Sequence, residues 1–96
     1  MQRWRLMIAT ISALRDIQVC DRDSDTFKQL IDMGINGGKS PMERMAASFA
    51  VYVYTGEPAH DVDARMVPFD AIEVAARGDR SFRRMVADFV NDPFWP

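Results

Sequence analysis

His60 is the sole histidine of the chain, and Glu57, Asp61 and Asp63 flank it. An imidazole among carboxylates can hold a transition metal or carry a proton between reacting groups. In a stretch bounded by Pro58 and Pro68, however, a lone imidazole is ordinarily just solvated. Cys20 is the only thiol. A Cys20/His60 nucleophilic pair would need a third group to orient the imidazole, and none is evident. The expectation is therefore of no catalytic residue, no cofactor and no metal site.

Two further patterns imitate ligand loops. Counted from Asp21, the carboxylates Asp21, Asp23, Asp25 and Asp32 fall at positions 1, 3, 5 and 12, as a calcium loop requires. Thr26 stands where the sharp turn needs glycine, Lys28 adds a positive charge at position 8, and Asp32 replaces the bidentate glutamate. The same carboxylates serve as a polar link and a helix start with a favourable dipole interaction. The stretch Gly34-Ile35-Asn36-Gly37-Gly38-Lys39-Ser40 resembles a phosphate loop only in composition. Met33 holds the position of the first required glycine, and a helix precedes the stretch where a strand is needed.

Arg77, Arg80, Arg83 and Arg84 form the densest basic cluster, the last three at helical spacings of i, i+3 and i+4. Guanidinium groups so placed can meet a partner's carboxylates or phosphates. Intramolecular pairing with Glu73, Asp79 or Asp88 is the plainer outcome. A helix–turn–helix reading fails, because the link between the second and third helices is long and the third helix is mostly apolar. Large aromatics supply the other candidates. Phe94 and Trp95 stand beyond the last helix, and they either fold back over an open end of the bundle or anchor a partner; folding back is the expectation. Tyr52 and Tyr54 pose the same question on the third helix. The chain has seven methionines, a residue over-used on adaptable binding faces, and Met33, Met42 and Met66 are the ones expected near the surface.

Helices must position all of these. Trp4, Met7, Ile8, Ile11 and Leu14 make one apolar stripe, which predicts a helix over residues 4–19. Asp23 or Ser24 caps a second helix carrying Phe27, Leu30 and Ile31, and Gly34 ends it. Ser40-Pro41-Met42-Glu43 is a capping box with proline at the first helical position. It opens a third helix that runs to Thr55-Gly56. A strand over residues 48–55 is the rival, because Val51-Tyr52-Val53-Tyr54 is β-branched and aromatic. Residues 57–68 read as a surface loop. Asp70 with Glu73 starts a short helix, with Phe69 placed to staple onto Val74, and Gly78 stops it. Asp79 or Ser81 opens a last helix bearing Phe82, Met85, Val86 and Phe89, and Asn91-Asp92-Pro93 closes it. The result is an all-α bundle of about five short helices, with residues 1–96 as one domain and 91–96 as an aromatic tail.

Size and charge set the outer limits. The 96 residues carry 12 basic and 14 acidic side chains, so a formal charge of −2 gives no long-range attraction to nucleic acid or anionic membrane. Hydrophobic residues at 48% and charged residues at 27% fit an ordinary globular chain. One cysteine excludes an intramolecular disulfide framework. The basic start Arg3–Arg5 before Leu6–Ala9 outlines a secretory leader, but Thr10, Ser12 and Arg15-Asp16 interrupt it and no clean cleavage site follows. No stretch nears the ~20 apolar residues of a membrane span, so a cytoplasmic protein is expected.

The third helix carries apolar side chains on more than one face, more than a lone small bundle is expected to bury. That points to a non-enzymatic helical protein-binding module. Its role would be that of a regulator or inhibitor of a larger protein assembly, such as phages and other mobile elements encode, with a homodimer as one form of it. The rival is a nucleic-acid-binding accessory protein using arginines 77–84. A metal-dependent activity at the His60 loop comes third.

Overall fold

In the computed structural model, which describes residues 2–94, the helix over Pro41–Thr55 (here α3, fourth in the element order below once the 3-10 turn is counted) lies at the centre. The order is α1 (Gln2–Thr10), a 3-10 turn (Ser12–Leu14), α2 (Asp23–Ile35), α3 (Pro41–Thr55), α4 (Ala59–Val62), α5 (Ala71–Arg77) and α6 (Arg80–Asn91). Among the described residues there is no strand, so the all-α reading holds and the strand over 48–55 does not.

Local chemistry explains why α3 is a helix despite its β-branched run. Ser40 Oγ accepts from the Glu43 N–H at 3.1 Å, and Glu43 Oε1 accepts from the Ser40 N–H at 3.0 Å. Gly56 closes the other end at φ 74°, a left-handed conformation that costs glycine nothing. Between these caps every residue from Met45 to Val51 is buried. A helix buried all round must be surrounded, and here α2, the 3-10 turn, α4 and α1 pack on it while α6 reaches it through Phe82 and Phe89. Replacing Ser40 with alanine removes one capping acceptor, so Ser40→Ala should lower stability by ~1 kcal/mol. Thermal melts should show a drop of about 4–8 °C.

Phe49 is the hub of the aromatic core. Its ring centroid lies 5.3 Å from Phe69, 5.9 Å from Phe82 and 5.7 Å from Phe89, the last edge-on. On the opposite side the Trp4 indole N–H donates to the Ala50 carbonyl at 2.9 Å. Ser48 Oγ donates to the Val67 carbonyl at 2.6 Å and ties the chain after α4 onto the central helix.

Five sequence expectations need correction. The first helix ends at Thr10, not near residue 19: Ile11 is extended (φ −76°, ψ 113°) and the 3-10 turn follows. Ile11 and Leu14 are nonetheless buried, so their spacing reported burial and not an unbroken helix. Arg22, not Asp23 or Ser24, precedes α2, and its side chain makes no cap. Gly34 does not stop α2 but sits inside it, one residue before its end, where a β-carbon would meet the terminal methyl of Met66. Met33 and Met66 are core residues, while Met42 is half-buried against the core. The stretch 57–68 is not all loop, since it contains the single turn α4.

Candidate functional site

The candidate nucleophile and base are not joined. The Cys20 thiol donates to the Gln18 carbonyl at 3.3 Å and receives the Gln29 amide at 3.5 Å. His60 lies in α4 with its Nε2 3.8 Å from Asp61. Among the described residues no hydrogen bond links the two, and no group of three or more histidine, cysteine or acidic side chains is placed to hold a metal ion. The acidic residues have other duties. Asp23 accepts from Arg5 Nε at 2.8 Å, and Asp63 accepts from Arg65 through both carboxylate oxygens, at 3.1 and 2.8 Å. The twelve positions from Asp21 to Asp32 are mostly α2 and so cannot wrap an ion. The glycine stretch is a tight turn, in which Asn36 Oδ1 accepts from the Gly38 N–H at 2.9 Å and Lys39 pairs with Asp16 at 2.9 Å.

Asp16, Asp23, Glu43, Asp63 and Asp79 are all held below the ordinary carboxylate range by the contacts they make. The Arg65 guanidinium brings Asp63 down to about 2. The Ser81 hydroxyl and the Phe82 N–H lower Asp79 at the start of α6. A carboxylate lowered on folding contributes stability that is complete above the unfolded value and fades as pH falls through the folded one. The melting temperature should therefore be flat from neutrality to about pH 5 and fall between about pH 4 and 2. Asp63→Asn and Asp79→Asn should each make that acid limb shallower in a pH series of melts, because asparagine keeps the capping oxygen but does not titrate.

The aromatics of α3 are absorbed by the fold. Val51 is wholly buried (0% exposed), and Tyr52 and Tyr54 are half-buried against the core. Tyr54 lies between Trp4 at 4.5 Å and Phe27 at 5.1 Å, and Tyr52 meets the edge of Phe89 at 6.3 Å. The crowding that suggested a second copy against α3 is thus relieved within one chain. Phe94 folds back, as expected, with its ring 5.6 Å from Phe89. Trp95 lies outside the described residues.

The arginine cluster divides. Arg77 is tied to Glu73 within α5 at 3.3 Å. Arg80, Arg83 and Arg84 are exposed on α6 and make no ion pair among the described residues. They point along two sides of one ridge. Arg83 borders a groove of about 240 Å³ between α5 and α6, lined by Ala71, Val74, Ala75, Val86 and Ala87. Exposed Ile72 (80%) and Val90 (69%) belong to these same two helices. Arg80 and Arg84 line a wider groove of about 490 Å³ on the α1 side, with Thr10, Ser12 and Met85. Thr10 and Met85 also line the neighbouring hollow of about 170 Å³, whose walls include Arg3, Leu6, Phe89 and Phe94.

Compared with known proteins, the chain matches no family model, no curated protein and no solved structure. Its function must be read from this surface.

The α1–α6 groove is the feature that the sequence did not reveal. Leu6 is 58% exposed on its rim. It falls off the Trp4–Met7–Ile8–Ile11 stripe, which is the one sequence signal that could have marked it. Arg3 and Asp92, which close the far end at 2.8 Å, carry no such signal. Among the described residues no helix is long and apolar enough to cross a membrane.

Proposed function

We propose that this chain is a small non-enzymatic protein-binding module of the cytoplasm, a regulator or inhibitor of a larger protein assembly that it contacts along the α6 ridge. The observation that carries this reading is the set Arg80, Arg83 and Arg84, exposed and without ion pairs among the described residues, with Arg83 on the apolar α5–α6 groove and Arg80 and Arg84 on a groove of mostly polar residues that adjoins the apolar hollow of Leu6, Phe89 and Phe94. Arginine at the edge of an apolar groove is the composition of a binding hot spot. The partner is a protein whose contact surface brings carboxylates beside apolar side chains.

A polyanion fits this surface less well. The three guanidinium groups diverge to opposite sides of α6, and Asp88 lines the same side as Arg84. The net charge of −2 supplies no background attraction to phosphate.

The test is capture from the native host, comparing the wild-type chain with Arg80→Glu/Arg84→Glu and with Arg77→Glu, whose partner is internal. A protein recovered by wild type and by Arg77→Glu should be depleted at least tenfold with the double variant. That corresponds to a loss of about 1.4 kcal/mol or more. All three chains should melt alike. Recovery that ignores the double variant, or recovery of nucleic acid that fades steeply with salt, overturns the reading.

A further inference from the structure

We infer that the groove between α1 and α6 docks a partner segment bearing a carboxylate followed at the second position by an aromatic ring, and that the chain's own tail keeps that seat in the free protein. This deepens the reading of the chain as a protein-binding module and rests on it. The tail itself shows what chemistry the seat takes. Asp92 places its carboxylate 2.8 Å and its carbonyl 3.2 Å from the Arg3 guanidinium. Two residues on, the Phe94 ring lies beneath the same guanidinium, 4.3 Å from Cζ to centroid, and meets Phe89 edge-on. Arg3 therefore reads charge and ring together. Pro93 lies between them, beyond the end of α6, where a proline cannot extend the helix.

These tethers are weak ones. The Arg3 and Asp92 side chains are 53% and 76% exposed, so water screens their pairing. The ring contact is likewise at the surface, where a cation over an aromatic face contributes least. Past Phe94 the hollow adjoins, at Thr10 and Met85, the groove lined by Arg84 and Arg80. Asp79, which lines the same groove as those arginines, is already engaged by Ser81 and Phe82, and Asp88 is, among the described residues, the one carboxylate lining the hollow beside Arg3. An acidic–aromatic segment entering at Arg3 could extend its contacts toward two cations that the tail does not use. A tethered tail has an effective concentration in the millimolar range, so a segment making only the tail's contacts competes poorly until the seat is emptied.

The probe is the blocked tetrapeptide Asn-Asp-Pro-Phe, the sequence of residues 91–94, titrated into isotopically labelled protein and followed by amide shifts in NMR. With Phe94→Ala the shifts should saturate and cluster at Leu6, Met7, Met85 and Phe89. Apparent affinity should be at least fivefold above that of the wild-type chain, and Arg3→Ala added to Phe94→Ala should abolish it. Should Phe94→Ala fail to fold, Asp92→Asn/Phe94→Leu keeps the apolar cover while loosening the seat, and the same titration applies. Absence of saturable shifts up to about 10 mM peptide, binding that survives Arg3→Ala, or equal binding by wild type overturns the inference. Such a failure leaves partner capture through Arg80 and Arg84 standing, so the two readings fall separately.

Discussion

Trp4→Ala should cost ~4 kcal/mol and lower the melting temperature by about 15–30 °C, the largest single effect expected in this chain. Trp4 is 0% exposed, although it lies in the first turns of the chain. Its ring is 4.5 Å from Tyr54, and its indole N–H reaches the Ala50 carbonyl at 2.9 Å. Truncation opens a cavity between α1 and α3 and removes a face from the Tyr54 ring, which then rests on Phe27 alone among the aromatic contacts of the described residues. With a domain of this size holding about 5–15 kcal/mol in total, the variant sits near the edge of folding. Trp4→Phe separates the terms: it keeps much of the ring packing and loses the hydrogen bond and part of the volume, for about 1–2 kcal/mol. Urea melts followed at 222 nm should rank wild type, Trp4→Phe and Trp4→Ala in that order. An alanine variant within a few degrees of wild type would show that α1 is not anchored through this residue.

What the sequence made legible was what neighbours in the chain decide. Ser40 with Glu43, Asp79 before Phe82 and Asp70 before Ile72 and Glu73 are caps within three residues of their partners, and the structure shows the bonds of each. The capping box settled the identity of α3 against its β-branched composition, because four residues of strand preference cannot displace a helix fixed at both ends and buried along its length. What depends on distant partners is not legible locally. Tyr52 and Tyr54 look surplus on a helical wheel of α3, which does not show how many elements surround it. Ile11 and Leu14 suggested a continuous helix because a 3-10 turn can keep the same side chains pointing inward. The candidate groove depends on Arg3 meeting Asp92 across 89 positions, and no local pattern encodes such a meeting. The arginines were found by their spacing, but their division between two grooves follows from where α1 and α5 pack on α6.

Gly34 is the position where local and distant rules conflict most directly, and Gly34→Val should lower stability by ~3 kcal/mol and the melting temperature by about 12–24 °C. By helix propensity alone any residue with a β-carbon other than proline improves on glycine here, alanine by about 1 kcal/mol. The packing opposes it. A β-carbon at Gly34 would overlap the Met66 methyl and stand 3.3 Å from its Cγ. The Met66 side chain is flexible in principle, but it is only 2% exposed and has little room to retreat. The same turn of α2 is fixed from outside, since the Gly34 carbonyl accepts from Arg44 Nε at 3.0 Å. Gly34→Ala therefore nets a loss of about 1–2 kcal/mol, overpacking exceeding the propensity gain. Met66→Ala alone opens a cavity and costs ~3 kcal/mol. In the double variant Gly34→Ala/Met66→Ala the new methyl enters the vacated space and the propensity gain returns. Its loss should fall short of the sum of the singles by about 1–2 kcal/mol in a denaturation cycle. Additivity within about 0.5 kcal/mol would mean that Met66 does not hold Gly34 to glycine.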